Sequence, residues 1–521
     1  MEINIEGVET LNNITKNIMA GLMLGLGICT FTSVHAAEQV HESEVVSTNV
    51  PLDNYTYDYL DKLDGMGYIT DMRIGMKPYT RVEVAKWVLE AEQNVKEKPS
   101  YIQGMIKQLK VEYADEIKFL DGQAVDSELK LKEWNFGISY YDGDSVANTA
   151  SKSFYQPLNI NNNGYKFADG FNMETSVRVE KSLDHHIVFS LEPTFRYDKE
   201  DNGSALLKSG YVKTKFNNVE VSIGKDVLWW GQGKRGTLAL SNNAKPMTYL
   251  KFSNIEPMHW SWFKGLGDIY SSVFYSEIDD MRKFDGTTID NPGFIGARMD
   301  FVPNDRFTFG ISRTSITDKL NSHDIKDFIM GENAADQEVD KWNSIAGIDF
   351  RWRIPHKSQT QIYGELYGED QSHELGFIPF PSKKGYTFGI YLPKLSEDGK
   401  WEANLEYGQT SNVWYNHWVF TDGYVNGGNI IGDAMGNNAK RYYLGITRFI
   451  DEKNQVSIHA ERLDSDEVNL GQHNVDSIWI SGKSKLEENL FLEYLGGVSK
   501  IDKDTRNDKN YRASFIIRKY Y

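Results

Sequence analysis

The residues best suited to bind a ligand lie in one segment, Trp229 to Pro246, which reads WWGQGKRGTLALSNNAKP and joins two β-like stretches. Aromatic rings stack on the C–H faces of sugars, and Asn, Lys and Arg donate hydrogen bonds to hydroxyl and acidic groups. The segment therefore predicts either a sugar platform or a loop whose tryptophans pack against surrounding protein. Its candidate ligand-binding residues are Trp229, Trp230, Lys234, Arg235, Asn242 and Asn243.

A second dense group of aromatic and polar residues is WYNHWVFTDGY, from Trp414 to Tyr424. Because it combines rings with hydrogen-bonding side chains, it could bind the same kind of ligand. A loop that fills the interior of the protein is an equally good interpretation. The candidate ligand-binding residues here are Trp414, Tyr415, Asn416, His417, Asp422 and Tyr424.

Other patterns that suggest chemistry have simpler explanations. Gly231, Gly233 and Gly236 match G-x-G-x-x-G, but no helix follows, as a dinucleotide site requires. Glu365 and Glu369 could hydrolyse a glycoside as a carboxylate pair, yet their spacing suits the polar lining of a pore better. Metal, phosphate-loop and nucleophile-elbow motifs are not found in the sequence. We therefore predict no catalytic residues, no metal site and no cofactor.

Composition and charge narrow the class of protein. The 521 residues include 57 basic and 74 acidic side chains, a net charge of −17, which argues against nucleic acid as a partner. Residues 1–36 read as a signal peptide, with Lys16 before an apolar run and an A-x-A-like cleavage site ending at Ala36. The only cysteine, Cys29, lies in that segment. The mature chain would therefore fold without disulfides.

The pattern of the chain then divides it into three parts. Residues 37–50 are polar and predicted to be flexible, and residues 51–125 show helical spacing. Thr80 and Glu83 form a capping-box signature that opens one helix, and a single helix is predicted from Tyr101 to about Leu120. From residue 126 to 521, apolar and polar residues alternate, so the hydrophobic pattern repeats every two residues.

The period-two segments predict a mainly β fold, a transmembrane β-barrel. In His186 to Asp198, Ile, Phe and Leu alternate with Ser, Glu and Thr, so one face is apolar and the other could line water. Nine long connections alternate with eight short ones, which gives eighteen antiparallel strands when Lys245 to Lys264 is counted as one bent strand and 499–508 as a long connection. This asymmetry places the small helical domain and both termini in the periplasm and the long loops outside.

Localisation in the bacterial outer membrane implies further partners. The apolar faces would contact outer-membrane lipid. The chain ends at Tyr521 after a strand-like segment, and a terminal aromatic residue resembles the signal that barrel-assembly machinery recognises.

Several segments together resemble the Wzi-like capsule-assembly proteins. They are WWGQG and LSNNAKP, residues 296–314, residues 343–355, residues 415–439 and the helical stretches LDKLDGMGYI and YTRVEVAKW. The resemblance implies an eighteen-stranded outer-membrane barrel with a periplasmic helical bundle. It also implies a non-enzymatic lectin that attaches capsular polysaccharide or a related exopolysaccharide to the cell surface. The chain departs from the family pattern at Gln232 and Lys245. A porin-type channel for sugars or small solutes is the alternative function.

Overall fold

Eighteen antiparallel strands form a closed barrel in the described part of the chain, as the sequence predicts. The computed structural model describes residues 45–94, 99–123, 128–148, 151–183, 186–318, 328, 342–356, 358–369, 383–465, 473–503 and 507–521. The predicted signal peptide lies outside these residues. The last strand pairs with the first, Tyr520 opposite Glu133, so the sheet has no free edge.

The strands are numbered β1 to β18 along the chain. They are Lys130–Asp142, Gly170–Leu183, Ile187–Tyr197, Ser204–Phe216, Val219–Asp226, Met247–Asn254, Asp268–Glu277, Gly293–Asn304, Phe307–Thr317, Trp342–Arg353, Gln361–Glu369, Lys384–Leu392, Trp401–Thr410, Ala439–Phe449, Asn454–Ser465, His473–Glu487, Leu490–Lys503 and Asn507–Tyr520. Short two-stranded ribbons join Val146–Asn148 to Ser153–Tyr155, Met281–Arg282 to Thr288–Ile289, Val425–Asn426 to Asn429–Ile430, and Met76–Lys77 to Trp229–Trp230.

The two faces of the barrel wall differ as the alternation predicts. In β3, Leu191 and Phe195 are exposed on the outside, whereas Glu192 and Thr194 are buried on the inside. Successive side chains of a strand point to opposite faces, so a polar interior and an apolar outer surface follow directly from the period of two. This outer surface is suited to lipid contact.

Two connections differ from the prediction, although the strand count does not. The strand predicted over Lys245 to Lys264 is β6 and ends at Asn254. The Asn254 side-chain amide donates to Glu256 O at 2.8 Å and to Ile269 O at 3.0 Å. At this point side-chain hydrogen bonds take the place of the backbone hydrogen bonds between strands, and the strand ends. In addition, β17 and β18 extend to Lys503 and from Asn507, so the predicted long connection 499–508 is mostly strand.

Four helices lie in the described residues before the barrel: α1 Thr56–Gly65, α2 Arg81–Gln93, α3 Ser100–Glu112 and α4 Ala114–Leu120. The capping box at Thr80 is confirmed, with its side chain accepting from Glu83 N. The single helix predicted to about Leu120 is instead two helices, because Tyr113 leaves helical geometry and donates or accepts a hydrogen bond with Thr56 Oγ1 at 2.8 Å. None of the helices described is long and apolar enough to cross a membrane.

The helices sit inside the end of the barrel at which β18 ends. We call the described residues between 45 and 123 the plug. Tyr55 stacks on Phe491 of the wall with ring centroids 4.7 Å apart, and Asp64 accepts from Arg353 Nη2 at 2.5 Å. Residues 45–50, the described end of the segment predicted to be flexible, are buried there. The helical unit is therefore packed into the lumen.

Candidate functional site

The segment 227–246 folds into the barrel and meets the plug. We call it the inner loop. Trp229 and Trp230 pair antiparallel with Lys77 and Met76, and Gly231 N donates to Gly75 O at 2.8 Å. Because this loop enters from the opposite end to the plug, the two together fill the lumen from both sides.

The two tryptophans of the inner loop are core residues. Trp230 is fully buried and packs edge-on against Phe274 with centroids 5.2 Å apart. Trp229 is 7% exposed, and the Lys77 ammonium lies 5.9 Å from its ring centroid. Burial lowers the pKa of Lys77 to about 8. Protein therefore covers both rings, which favours packing over sugar stacking for this pair.

Carboxylates of the barrel wall hold the inner loop in place. Glu365 accepts from Gly233 N at 2.8 Å through Oε1 and from Leu238 N at 2.9 Å through Oε2. Glu406 Oε2 accepts from Lys234 N at 2.9 Å. These contacts give Glu365 a structural role that requires no hydrolysis.

The cations of the inner loop are paired inside the barrel. Lys234 lies 2.8 Å from Asp61 of the plug and 3.6 Å from the centroid of the Tyr391 ring. Burial acts to raise the pKa of Asp61, but the Lys234 charge, with those of Lys77 and Arg351, outweighs it and lowers the pKa to about 2. The ion pair therefore links the inner loop to the plug.

Arg235 and the asparagine pair tie the inner loop to other elements. Arg235 Nε lies 2.6 Å from Glu461 of β15. Asn242 Nδ2 donates to Asn161 O at 2.9 Å, and Asn243 Nδ2 donates to Ile430 O at 3.0 Å. These side chains therefore connect three of the long loops to one another and to the wall.

The second predicted group lies in the connection 411–438, which covers the inner loop. We call it the cover loop. Tyr415 and Tyr424 are fully buried and stack with centroids 5.4 Å apart. Their hydroxyls donate to Leu238 O at 2.8 Å and Ala239 O at 2.9 Å. Tyr415 N in turn donates to Glu369 Oε2 at 3.0 Å. The candidate residues of the inner loop and of the cover loop are therefore in contact, and most of them pack inside the lumen.

The remaining candidates of the cover loop differ in exposure. Trp414 is fully buried, and His417 is 8% exposed and accepts from Val419 N and Phe420 N through Nδ1. Asn416 Nδ2 donates to Asn412 O at 3.4 Å. Asp422, like Asn416, is partly buried and forms an ion pair with Lys152 at 2.6 Å.

The sequence reasoning missed the aromatic residues that the loops leave exposed. Trp418 is 55% exposed and Phe284 is 57% exposed, and their ring centroids are 5.5 Å apart. The available signal was a lone phenylalanine in the polar stretch RKFDGTT, where no apolar neighbour could cover it. Among the described residues, this pair forms an exposed aromatic surface at the loop end.

A cavity of 460 Å³ remains between the plug and the wall. Its lining is mixed in charge and includes Asp58, Lys483, Tyr443 and His459. Asp58 and Lys483 neutralise each other at 2.6 Å. Among the described residues, His, Cys, Asp and Glu side chains form no cluster of three or more that could hold a metal ion.

An apolar outer wall, a polar interior and a lumen filled by a plug and inward loops define a plugged membrane-type β-barrel. The family model for the capsule assembly protein Wzi matches residues 142–514. This chain belongs to that family.

Two relatives show how far the similarity extends. An uncharacterised 55.8 kDa protein in the cps region of Klebsiella pneumoniae is 26% identical over 201 residues, 35% of this chain and 36% of that protein. The match thus spans about a third of the relative's length. Wzi of Escherichia coli, described as an outer-membrane carbohydrate-binding β-barrel involved in group 1 capsule assembly, is 17% identical with a TM-score of 0.66. That similarity covers 92% of this chain and 99% of Wzi.

Proposed function

We propose that this protein is a non-enzymatic outer-membrane barrel that binds capsular polysaccharide or a related exopolysaccharide and holds it at the cell surface. Membership of the Wzi family and the fold shared with the carbohydrate-binding barrel of Escherichia coli support this function. The observation that carries it is the filled lumen. With the interior occupied by the plug, the inner loop and the cover loop, the outer surface of the long loops is the place for a polymer.

The orientation follows from general barrel architecture. Barrels of this kind carry short periplasmic turns and longer extracellular loops. The plug would therefore occupy the periplasmic end of the lumen, and the cover loop would face the exterior. Outer-membrane lipid would contact exposed side chains such as Phe195, and barrel-assembly machinery would act on β18 during biogenesis.

A sugar or solute channel is the alternative, and it requires a continuous open path through the barrel. The described residues instead bridge the lumen at several levels. Lys234 with Asp61 joins the inner loop to the plug, and Asp64 with Arg353 joins the plug to the wall. The cavity of 460 Å³ is lined in part by Lys234 and Asp61, so this ion pair forms part of its boundary. The polymer-binding function therefore agrees better with the interior.

Deletion of the gene is expected to leave polymer synthesis intact and to move polymer from the cell surface to the medium, because the anchor is lost. The measurement is the carbohydrate content of washed cells and of the supernatant, compared with the parent strain. A plasmid copy of the gene should restore the cell-bound fraction. An unchanged cell-bound fraction after deletion would show that the protein does not hold the polymer.

A further inference from the structure

An exposed patch at the loop end has the composition of a binding site for an acidic sugar. We call Trp418, Phe284, Arg282, Lys152 and Asp422 the rim platform. The two rings touch each other and are both more than half exposed. In contrast, Trp414, four residues before Trp418 in the cover loop, is fully buried. The platform therefore exposes aromatic side chains to solvent, whereas Trp414 of the same loop is covered by protein.

Backbone hydrogen bonds join the two loop segments that carry the platform. Lys283 forms an antiparallel bridge with Phe420. On either side, Thr421 N donates to Arg282 O at 2.9 Å, and Phe284 N donates to Val419 O at 3.1 Å. A turn begins here, because Gly286 N donates to Lys283 O at 3.0 Å. The hydrogen bonds therefore hold Arg282 and Phe284, which are two residues apart, against the part of the cover loop that carries Trp418.

Of the two cations in the platform, Lys152 has an ion-pair partner, whereas Arg282 has none among the described residues. Asp422 forms an ion pair with Lys152 at 2.6 Å and accepts from Arg282 N at 2.9 Å, so its charge is already matched by Lys152. Neighbouring Lys283 is matched by Asp318 at 2.6 Å. Within the described ranges, the exposed Arg282 guanidinium forms no ion pair or side-chain hydrogen bond. The Arg282 guanidinium is thus available to an anion two residues from Phe284, whereas the carboxylate of neighbouring Asp285 accepts from Thr287 N at 2.9 Å and Thr287 Oγ1 at 2.6 Å.

These two features are complementary to one kind of sugar. An exposed ring offers an apolar face to the C–H surface of a pyranose, and a guanidinium binds a carboxylate through two parallel hydrogen bonds. We propose that the rim platform binds an acidic sugar residue of the polymer, such as a hexuronic acid, with the ring stacked on Trp418 and the carboxylate on Arg282. This assignment rests on the proposed function, because it names the site and the sugar class.

The test uses the purified full-length barrel in detergent and two probes. They are the polysaccharide isolated from the parent strain and the same polymer after chemical reduction of its carboxyl groups. The wild type should bind the native polymer at least tenfold more tightly than the reduced one. Trp418→Ala and Phe284→Ala should each weaken binding of the native polymer about tenfold, which corresponds to about 1.4 kcal/mol. Arg282→Gln should remove the preference for the native polymer.

The matched control is Trp262→Ala, because Trp262 is 77% exposed and stacks on Trp260 in the connection that follows β6, at the end of the barrel that holds the plug. It should leave binding unchanged, and gel migration before and after heating should show that every variant is a folded barrel. Equal binding of both probes by the wild type would overturn the acidic sugar class. Unchanged binding by Trp418→Ala would overturn the site while leaving the proposed function intact. A wild type that binds neither probe would contradict the proposed function itself.

Discussion

Replacing Arg441 by methionine is expected to lower the free energy of unfolding by about 3–5 kcal/mol, because it leaves two buried carboxylates without a counter-ion. Arg441 is 2% exposed, lies 2.6 Å from Glu406 and also forms an ion pair with Asp433 of the cover loop. Both carboxylate side chains are fully buried. Urea unfolding of the refolded barrel in detergent, followed by tryptophan fluorescence, measures the change.

The control for Arg441→Met is Arg462→Met on the neighbouring strand β15. Arg462 pairs with Asp464 at 2.7 Å and with Asp476 at 3.6 Å, but its side chain is 49% exposed. Exposed ion pairs typically contribute less than about 1 kcal/mol because solvent screens them. The control should therefore lose little stability. Equal losses in the two variants would contradict the view that the Arg441 cluster holds the cover loop.

Replacing Gly233 by alanine is expected to displace the inner loop from the lumen. An added Cβ would lie 1.9 Å from Gly236 O and 3.3 Å from Glu365 Oε1. The closer atom belongs to the backbone and cannot swing aside, so the loop must leave its two hydrogen bonds to Glu365. Overpacking and the two lost hydrogen bonds together should cost about 2–4 kcal/mol. Urea unfolding measures this loss.

The same variant tests whether the lumen is closed. In planar lipid bilayers the wild type should show no steady single-channel conductance, whereas Gly233→Ala should show frequent openings. Gly496→Ala is the control, because an added Cβ there meets no atom within 4 Å. It should behave like the wild type. Steady conductance by the wild type would support the channel function instead.

The barrel could be predicted from the sequence because its signal is local. In β3 apolar and polar residues alternate within one short stretch of sequence, and this alternation indicates which side chains face the lumen. The helix cap at Thr80 is equally local, since the hydroxyl and Glu83 lie in one turn. Family resemblance then added the carbohydrate class, which alternation alone cannot supply.

The interior could not be predicted, because its contacts join residues far apart in the chain. Nothing near Trp230 shows that it will pair with Met76, and nothing near Glu365 shows that it will bind the backbone at Gly233. The tryptophans of the inner loop therefore suited sugar stacking and packing equally well. The contact of Phe284 is equally remote in the sequence, because its ring lies beside Trp418 of another loop.

Binding of the parent strain's purified polysaccharide by the isolated wild-type barrel is the direct test of the proposed function. Titration calorimetry in detergent should show saturable binding, and gel filtration should recover the polymer at its original length, because the protein binds without cleaving. Arg441→Met, refolded at low urea, provides a variant with loosened loops that should bind more weakly. Absence of saturable binding by the wild type would contradict a polymer anchor, and shortened polymer would contradict a non-enzymatic one.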